Sequence, residues 1–339
     1  MRARGPGRVN LLGEHTDYNA GLCLPFAVDA GVTVEADATD TGEIEAEALD
    51  YGEEDRFDAA DPRPAEGWRA FVRGTAGELK VAGISVPGAR LRIESNLPEG
   101  AGLSSSAALG SALCLALLAV AKRPEPDRRE LARLCSRVEN DWVGAQTGLL
   151  DQMAAFFGEP GHALLLDCRD LSVEQVPLEL GGWTLGVADS GSRHAHAESG
   201  YNERRRECAR AAEALGVETL RDVDEAQARS LPEPLDRRVR HVLRENERVR
   251  RGVRALRAGD LPTLAALLDA SHTSLRDDYE VSVPEVERTV ARMKEAGAAG
   301  ARIIGGGFGG AVLALFPPGS QPPEDVLPVA PAEGARLLG

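Results

Sequence analysis

The chain has 339 residues, of which 43% are hydrophobic, so it can bury the cores of one large or two ordinary domains. Its 54 acidic and 39 basic residues give a net charge of −15, which argues against nucleic acid or an anionic membrane as the main partner. The five cysteines lack a Cys-x-x-Cys pair, the first residues do not form a signal peptide, and the longest apolar run is too short for a bilayer. We therefore expect a soluble cytoplasmic protein with neither a disulfide scaffold nor a zinc site.

Segment 7–18 concentrates an arginine, a histidine and two carboxylates near the N-terminus. Its residues 8–12 predict a strand that ends at Gly13. If a helical turn follows, Glu14 and Asp17 share one face, and each carboxylate can accept from two adjacent hydroxyls of a neutral polyol. The alternative is an ordinary turn with a capping Thr or Asp. A metal site is a poorer interpretation, because no second His/Asp pair stands at ligand spacing.

Strands and one helix are predicted before the next motif. Residues 22–57 alternate apolar and polar side chains, which is typical of half-buried antiparallel strands. Residues 68–74 open a helix with Trp68 and Phe71 on one face; an adenine could stack there, although packing in the core is favoured. Residues 91–94 predict a further strand.

A glycine-serine loop then leads into an apolar helix. Gly100 and Gly102 allow a tight turn, residues 104–106 are three serines, and residues 107–121 read as a buried helix. Free amides at a helix start, helped by the helix dipole, bind phosphate. The alternative is a loop whose serines only cap the helix. The serine triplet and the partners described next favour the phosphate loop.

Two carboxylates lie in apolar surroundings downstream of that helix. Helical periodicity over residues 128–142 sets Glu139 among apolar residues, where it is either salt-bridged at an edge or a metal ligand. Asp151 lies in the apolar segment 148–157 and needs a partner such as an arginine, because an unpaired buried carboxylate is unfavourable. It is either half of a structural ion pair or a general base.

The rest of the chain alternates strands with charged or amphipathic helices, and we place a boundary near residues 174–182. Predicted strands cover 163–168, 173–176 and 183–189, and predicted helices cover 202–215, 221–260, 262–275 and 283–296. The pair His194 and His196 is a weak metal signal, because the remaining ligands are not visible.

A second glycine-rich loop lies in segment 301–316. Gly305, Gly307 and Gly310 formally satisfy the Gly-x-Gly-x-x-Gly fingerprint. That fingerprint requires a following helix, whereas residues 311–316 predict a strand, so we reject a dinucleotide site. A glycine loop between strands instead lets the backbone approach a bulky ligand.

Together these motifs resemble the GHMP small-molecule kinases, and within them the branch that phosphorylates galactose. Segment 7–18 resembles the sugar signature of that branch, residues 98–108 the phosphate loop, and residues 305–310 the third motif of the family. The resemblance covers essentially the whole chain. It implies an α/β (α+β) fold of two domains, residues 1–177 and 178–339, with mixed sheets, helices and an active site in the cleft between the domains.

The resemblance also implies roles for individual residues in ATP- and Mg²⁺-dependent phosphorylation of the galactose C1 hydroxyl by a monomer. Asp151 would be the base, and Arg8 would orient it and stabilise transition-state charge. The phosphate loop would comprise Gly100, Ala101, Gly102, Leu103, Ser104, Ser105 and Ser106. Mg²⁺ would be held by Ser106 and Glu139. The sugar would be contacted by Glu14, His15, Asp17, Gly148 and Tyr201.

Two alternatives remain open at this point. One is a related kinase that acts on the C1 hydroxyl of N-acetylgalactosamine, arabinose or galacturonate. The other is a non-catalytic galactose sensor built on the same fold. The intact serine loop, residues 104–108, and Asp151 speak against the sensor, because a sensor need not retain them.

Overall fold

The computed structural model describes residues 1–98, 100–193 and 197–339, without the side chains of residues 193, 197 and 198. The strands are β1 (Arg2–Asn10), β2 (Leu22–Cys23), β3 (Pro25–Ala38), β4 (Glu43–Ala48), β5 (Glu53–Asp58), β6 (Ala89–Ser95), β7 (His162–Asp167), β8 (Ser172–Pro177), β9 (Thr184–Arg193), β10 (Gly300–Ile304), β11 (Gly309–Phe316), β12 (Leu327–Val329) and β13 (Arg336–Leu338). The helices are α1 (Trp68–Val81), α2 (Ser105–Val120), α3 (Arg128–Arg137), α4 (Leu150–Phe157), α5 (Ala197–Leu215), α6 (Glu225–Arg229), α7 (Leu235–Arg257), α8 (Leu261–Asp277) and α9 (Pro284–Glu295).

The described strands form three sheets. The largest has the order β13-β1-β3-β6-β4-β5, the second has the order β10-β11-β9-β12, and the smallest has the order β2-β7-β8. Neighbouring strands are antiparallel except for β4 and β6, which run parallel. The architecture is therefore a mixed α/β fold, as the sequence predicts.

Helix α2 is the centre of the first hydrophobic core. Its residues from Ala107 onward are almost all buried, as expected for an apolar run without an amphipathic pattern. It packs on β1 and β3 and against α1, α3 and α4. The contact with β1 is so close that a Cβ atom on Gly5 would lie 2.0 Å from the Ala108 carbonyl oxygen, so this position requires glycine.

The second half of the chain packs its helices on the four-stranded sheet. Helix α8 lies against β10, and α9 contacts β9, β10 and β11. This confirms the amphipathic layer predicted for residues 262–275 and 283–296. The last strand, β13, returns to the first sheet and pairs with β1. The division at residues 177 and 178 stays a prediction.

Several predicted elements need correction. The first strand ends at Asn10 and not at Gly13. Residues 14–17 do not form a helical turn, because His15 has a φ of +62°, and the 3₁₀ turn starts at Asp17. The helix predicted for residues 128–142 is α3 followed by a π-helical segment, Val138–Val143. Strands β12 and β13 were not predicted, since three residues are too short to show alternation.

The cysteines, the longest helices and the aromatic residues of α1 complete the description of the fold. All five cysteines are free thiols. Within the described residues, no helix combines the length and apolar character needed to cross a membrane. Trp68 and Phe71 are partly buried and pack against the first core, and whether an adenine also stacks on them is left to experiment.

Candidate active site

Two adjoining cavities are formed where the glycine-rich loops approach the end of β1. The larger has a volume of about 800 Å³ and the smaller about 310 Å³. Five residues line both cavities: Arg8, Asp151, Gly305, Gly306 and Gly307. A ligand in one cavity can therefore reach a ligand in the other across the Arg8–Asp151 pair.

The larger cavity is lined by the glycine-serine loop. All seven residues predicted to bind phosphate contribute: Gly100, Ala101, Gly102, Leu103, Ser104, Ser105 and Ser106. The loop ends at the N-terminus of α2, where backbone amides and the helix dipole favour an anion. Ser104, at the N-cap position, has a φ of +58° and makes no side-chain cap; its Oγ donates to Asp151 Oδ2 at 2.6 Å. The capping alternative is therefore wrong for Ser104.

Arg8 and Asp151 form a bidentate ion pair between β1 and the first turn of α4. Arg8 Nε donates to Asp151 Oδ1 at 2.7 Å, and Nη2 donates to Oδ2 at 3.0 Å. Arg8 Nη1 donates to the Gly102 carbonyl oxygen at 2.6 Å, which connects the pair to the glycine-serine loop. Burial opposes the charge of Arg8, but the carboxylates of Asp151 and Glu14 outweigh it and raise the pKa of Arg8. Asp151 thus has the arginine partner that the sequence analysis requires.

Glu139 lies in the π-helical segment, behind the wall of the larger cavity. It is 7% exposed, accepts a hydrogen bond from Gln152 Nε2 at 2.5 Å, and interacts with the hydroxyl of Ser106, which lines the cavity. Burial, and then the charge of Asp151, raise the pKa of Glu139. Glu139 forms no ion pair with another described residue, so the edge salt-bridge alternative is not supported.

The smaller cavity is lined by all five residues predicted to contact a sugar: Glu14, His15, Asp17, Gly148 and Tyr201. Glu14 Oε1 lies 2.9 Å from Arg302 Nη2 and accepts a hydrogen bond from the Gly305 amide at 2.9 Å. Burial, and then the charge of Asp151, raise the pKa of Asp17 to about 6. The carboxylate oxygens of Glu14 and Asp17 at the wall of a small cavity can accept hydrogen bonds from hydroxyl groups.

His15 is held by three tyrosines at the back of the smaller cavity. Its Nδ1 is 2.7 Å from Tyr18 Oη, and its ring centroid lies 4.8 Å from that of Tyr279 and 5.3 Å from that of Tyr201. Burial lowers the pKa of His15 to about 3, so the imidazole is neutral near pH 7. A neutral ring can exchange a hydrogen bond with a ligand hydroxyl without adding charge to the cavity.

Some residues at the site were not found from the sequence. Asp50 and Tyr51 line the larger cavity from the β4–β5 turn, and Arg302 contacts Glu14 from β10. Arg302, like Asp151, is a charged residue in an apolar segment, and this pattern could have identified it from the sequence. His194 and His196 lie outside the described residues.

Comparisons with known proteins agree with this geometry. Three family models match: the galactokinase galactose-binding signature over residues 1–37, the GHMP kinases N terminal domain over 70–159, and the GHMP kinases C terminal domain over 253–330. A galactokinase from Roseiflexus sp. is 43% identical over 92% of this chain and 82% of its own length. A galactokinase from Mycobacterium tuberculosis is 44% identical over 92% of this chain and 88% of its own length.

A solved structure gives the same result at the level of the fold. Lactococcus lactis galactokinase, crystallised in complex with galactose, superposes with a TM-score of 0.92 at 32% identity and covers 99% of this chain and 95% of its own. The fold is that of a GHMP kinase, an enzyme that transfers a phosphoryl group from ATP. Within that class, the chain belongs to the galactokinase family, and it is a sugar kinase with an alcohol group as acceptor.

Proposed function

We propose that the enzyme transfers the γ-phosphoryl group of ATP to the C1 hydroxyl of galactose, giving galactose 1-phosphate and ADP, with Asp151 as the base. The observation that carries this proposal is the wall shared by the two cavities, where Arg8 and Asp151 face both ligands. ATP fills the larger cavity with its phosphates on residues 100–106, and galactose fills the smaller one.

The chemistry needs little beyond positioning and charge stabilisation. Asp151 accepts the proton of the C1 hydroxyl as that oxygen forms a bond to the γ-phosphorus, and the bond from that phosphorus to the β,γ-bridging oxygen breaks. ADP leaves with the electron pair of the broken bond. Arg8 orients the Asp151 carboxylate through its two hydrogen bonds to that group. From the shared wall, Arg8 also stabilises negative charge on the phosphoryl group that is transferred.

Galactose recognition depends on the polar groups of the smaller cavity. Glu14 and Asp17 accept hydrogen bonds from sugar hydroxyls, and neutral His15 adds a further partner. The Gly148 backbone and the Tyr201 ring close the cavity. A sugar that lacks one of these hydroxyls, or carries it in another position, would leave a polar group of the cavity without a hydrogen-bond partner. The site therefore discriminates against such sugars.

Replacing Gly148 by alanine is expected to raise the KM for galactose about tenfold, since an overpacked contact costs about 1–3 kcal/mol. A Cβ atom there would lie 1.9 Å from Asp17 Oδ2 and would displace that carboxylate. Steady-state kinetics with varied galactose measure the effect. Gly110→Ala is the matched control, because its Cβ would meet only ordinary contacts at 3.6 Å or more. Equal KM values in the two variants would contradict the placement of Asp17.

The residues around Ser106 fit Mg²⁺. Mg²⁺ is usually held by one or two carboxylates together with substrate phosphates. Glu139 is a buried carboxylate beside the Ser106 hydroxyl, and burial and then the charge of Asp151 raise its pKa. Among the described residues no group of three or more His, Cys, Asp or Glu side chains could hold a metal, in keeping with such a sparse ligand set. Bound there, Mg²⁺ would neutralise charge on the ATP phosphates.

Replacing Glu139 by glutamine is expected to raise the Mg²⁺ concentration needed for half-maximal activity about tenfold or more, since loss of even outer-shell partners weakens metal sites by about 10–100-fold. A titration of activity against Mg²⁺ at saturating ATP and galactose measures it. Glu78→Gln is the control: Glu78 is also buried and pairs with Arg137, but it lines neither cavity. An unaltered Mg²⁺ requirement in Glu139→Gln would remove the metal assignment.

The substrate is tested by ADP release with ATP, Mg²⁺ and a panel of free sugars. The panel holds galactose, its C4 epimer glucose, N-acetylgalactosamine, arabinose and galacturonate, with mevalonate as a control. We expect turnover on galactose but not on glucose. Turnover on another sugar alone would support the proposed mechanism but contradict galactose as the substrate. Galactose binding without ADP release would favour the sensor.

A further inference from the structure

Arg302 is a fully buried arginine in the otherwise apolar strand β10. Its side chain is 0% exposed. Nη1 donates to the Leu11 carbonyl oxygen at 2.7 Å, and Nη2 lies 2.9 Å from Glu14 Oε1. Arg302 therefore joins a strand of the second sheet to the segment that carries Glu14.

A second carboxylate, Glu245 on α7, supports the same segment. Glu245 Oε1 accepts hydrogen bonds from the Gly13 amide and from Ser271 Oγ, both at 2.8 Å, and lies 3.8 Å from Arg302 Nη1. Although burial alone would raise it, the charges of Arg248, His241 and Arg302 lower the pKa of Glu245 to about 2, so Glu245 is ionised. The backbone that leads into Glu14 is thus fixed at Leu11 and Gly13 from the second half of the chain.

Glu14 needs a cation of its own. It is 5% exposed, and burial raises its pKa while Arg302 and then Arg8 lower it. Arg8 is already engaged with Asp151 through two hydrogen bonds. Arg302 is therefore the cation that remains to balance Glu14. The Glu14 oxygen that faces Arg302 also accepts from the Gly305 amide, which fixes the carboxylate against the glycine loop.

We propose that Arg302 is a positioning residue for galactose: it fixes the Glu14 carboxylate in the orientation in which that carboxylate accepts from a sugar hydroxyl. This inference rests on the proposed role of Glu14 as a sugar contact. Arg302 itself lines neither cavity, so it acts on the substrate through Glu14. A buried ion pair that served stability alone would have no reason to affect one substrate more than the other.

A double-mutant cycle between Arg302→Met and Glu14→Gln tests the proposal. We expect Arg302→Met to raise the KM for galactose about tenfold or more, because removing one partner of a buried ion pair leaves the other charge uncompensated, with a smaller change in the KM for ATP. Arg302→Lys keeps the positive charge but lacks the planar guanidinium group. We expect it to retain more of the galactose affinity than Arg302→Met does. In the Glu14→Gln background, Arg302→Met is expected to add little. Thermal melting identifies the folded variants.

Arg73→Met is the control for the loss of a partly buried arginine that is paired with a carboxylate. Arg73 makes a bidentate pair with Asp55, at 2.8 and 2.7 Å, and neither residue lines the two cavities. It should lower stability without a selective change in galactose KM.

The outcomes separate this inference from the proposed function. Independent effects of the two substitutions, or an unchanged galactose KM in both Arg302 variants, would overturn the positioning role. An unchanged galactose KM in Glu14→Gln alone would instead overturn Glu14 as a sugar contact. If Arg302→Met does not fold, Arg302→Lys carries the same cycle with the same criteria.

Discussion

Asp151→Asn is expected to bind galactose with near-unchanged affinity while kcat falls about 10²–10⁴-fold, the usual contribution of a positioned base. Asparagine keeps the size of the side chain and one acceptor for Arg8, but it cannot take the proton of the C1 hydroxyl. ADP release at saturating substrates gives kcat, and calorimetry with galactose alone gives the affinity.

A matched ion pair elsewhere in the chain provides the control for that variant. Asp167 and Arg221 also form a fork, with Arg221 Nη2 donating to Asp167 Oδ2 at 2.8 Å. Their side chains are 25% and 17% exposed, against 24% and 9% for Asp151 and Arg8. Asp167→Asn should therefore match Asp151→Asn in its effect on stability but keep full turnover. If Asp151→Asn had an unchanged kcat, the result would show that the Arg8–Asp151 pair has only a structural role.

Arg8→Lys is expected to lower the rate of phosphoryl transfer about 10³-fold, the lower end of the effect of a transition-state arginine. Arg8 binds both Asp151 oxygens and the Gly102 carbonyl from one planar group. A lysine offers a single point charge and cannot reproduce that geometry. Single-turnover quench experiments with saturating galactose measure the step itself.

Arg221→Lys is the corresponding control, because it alters the same kind of fork away from the two cavities. It should leave the single-turnover rate as in the unmodified enzyme. If Arg8→Lys raised a KM but left the single-turnover rate unchanged, Arg8 would be a binding residue with no part in the transition state.

The parts of the site that the sequence could predict are those with a local chemical signal. Asp151 stands in an apolar segment and needs a cation, and Arg8 proved to be that cation. The phosphate loop combines glycines, serines and a helix start within a few residues, and all seven predicted loop residues line the larger cavity. The assignment of these residues to individual chemical roles stays a prediction until the variants are measured.

The features that the sequence could not predict are contacts between residues that are distant along the chain. Arg302 and Glu14 are far apart in the sequence but in contact in the structure, and no local sequence pattern predicts such a contact. Strand β13 pairs with β1 at the opposite end of the sequence. The spacing of Glu14 and Asp17 would place them on one face if a helical turn followed Gly13. The left-handed φ of His15 excludes that turn, and the two carboxylates line the same cavity without it.

The most direct test of the account is a crystal structure of the complex with galactose, Mg²⁺ and a non-hydrolysable ATP analogue. We expect the phosphates on residues 100–106 and the galactose C1 hydroxyl within hydrogen-bond distance of Asp151, about 2.6–3.2 Å, and in line with the γ-phosphorus. A galactose that turned another hydroxyl toward Asp151, or a nucleotide bound away from the larger cavity, would contradict the claim that phosphoryl transfer takes place at the Arg8–Asp151 wall.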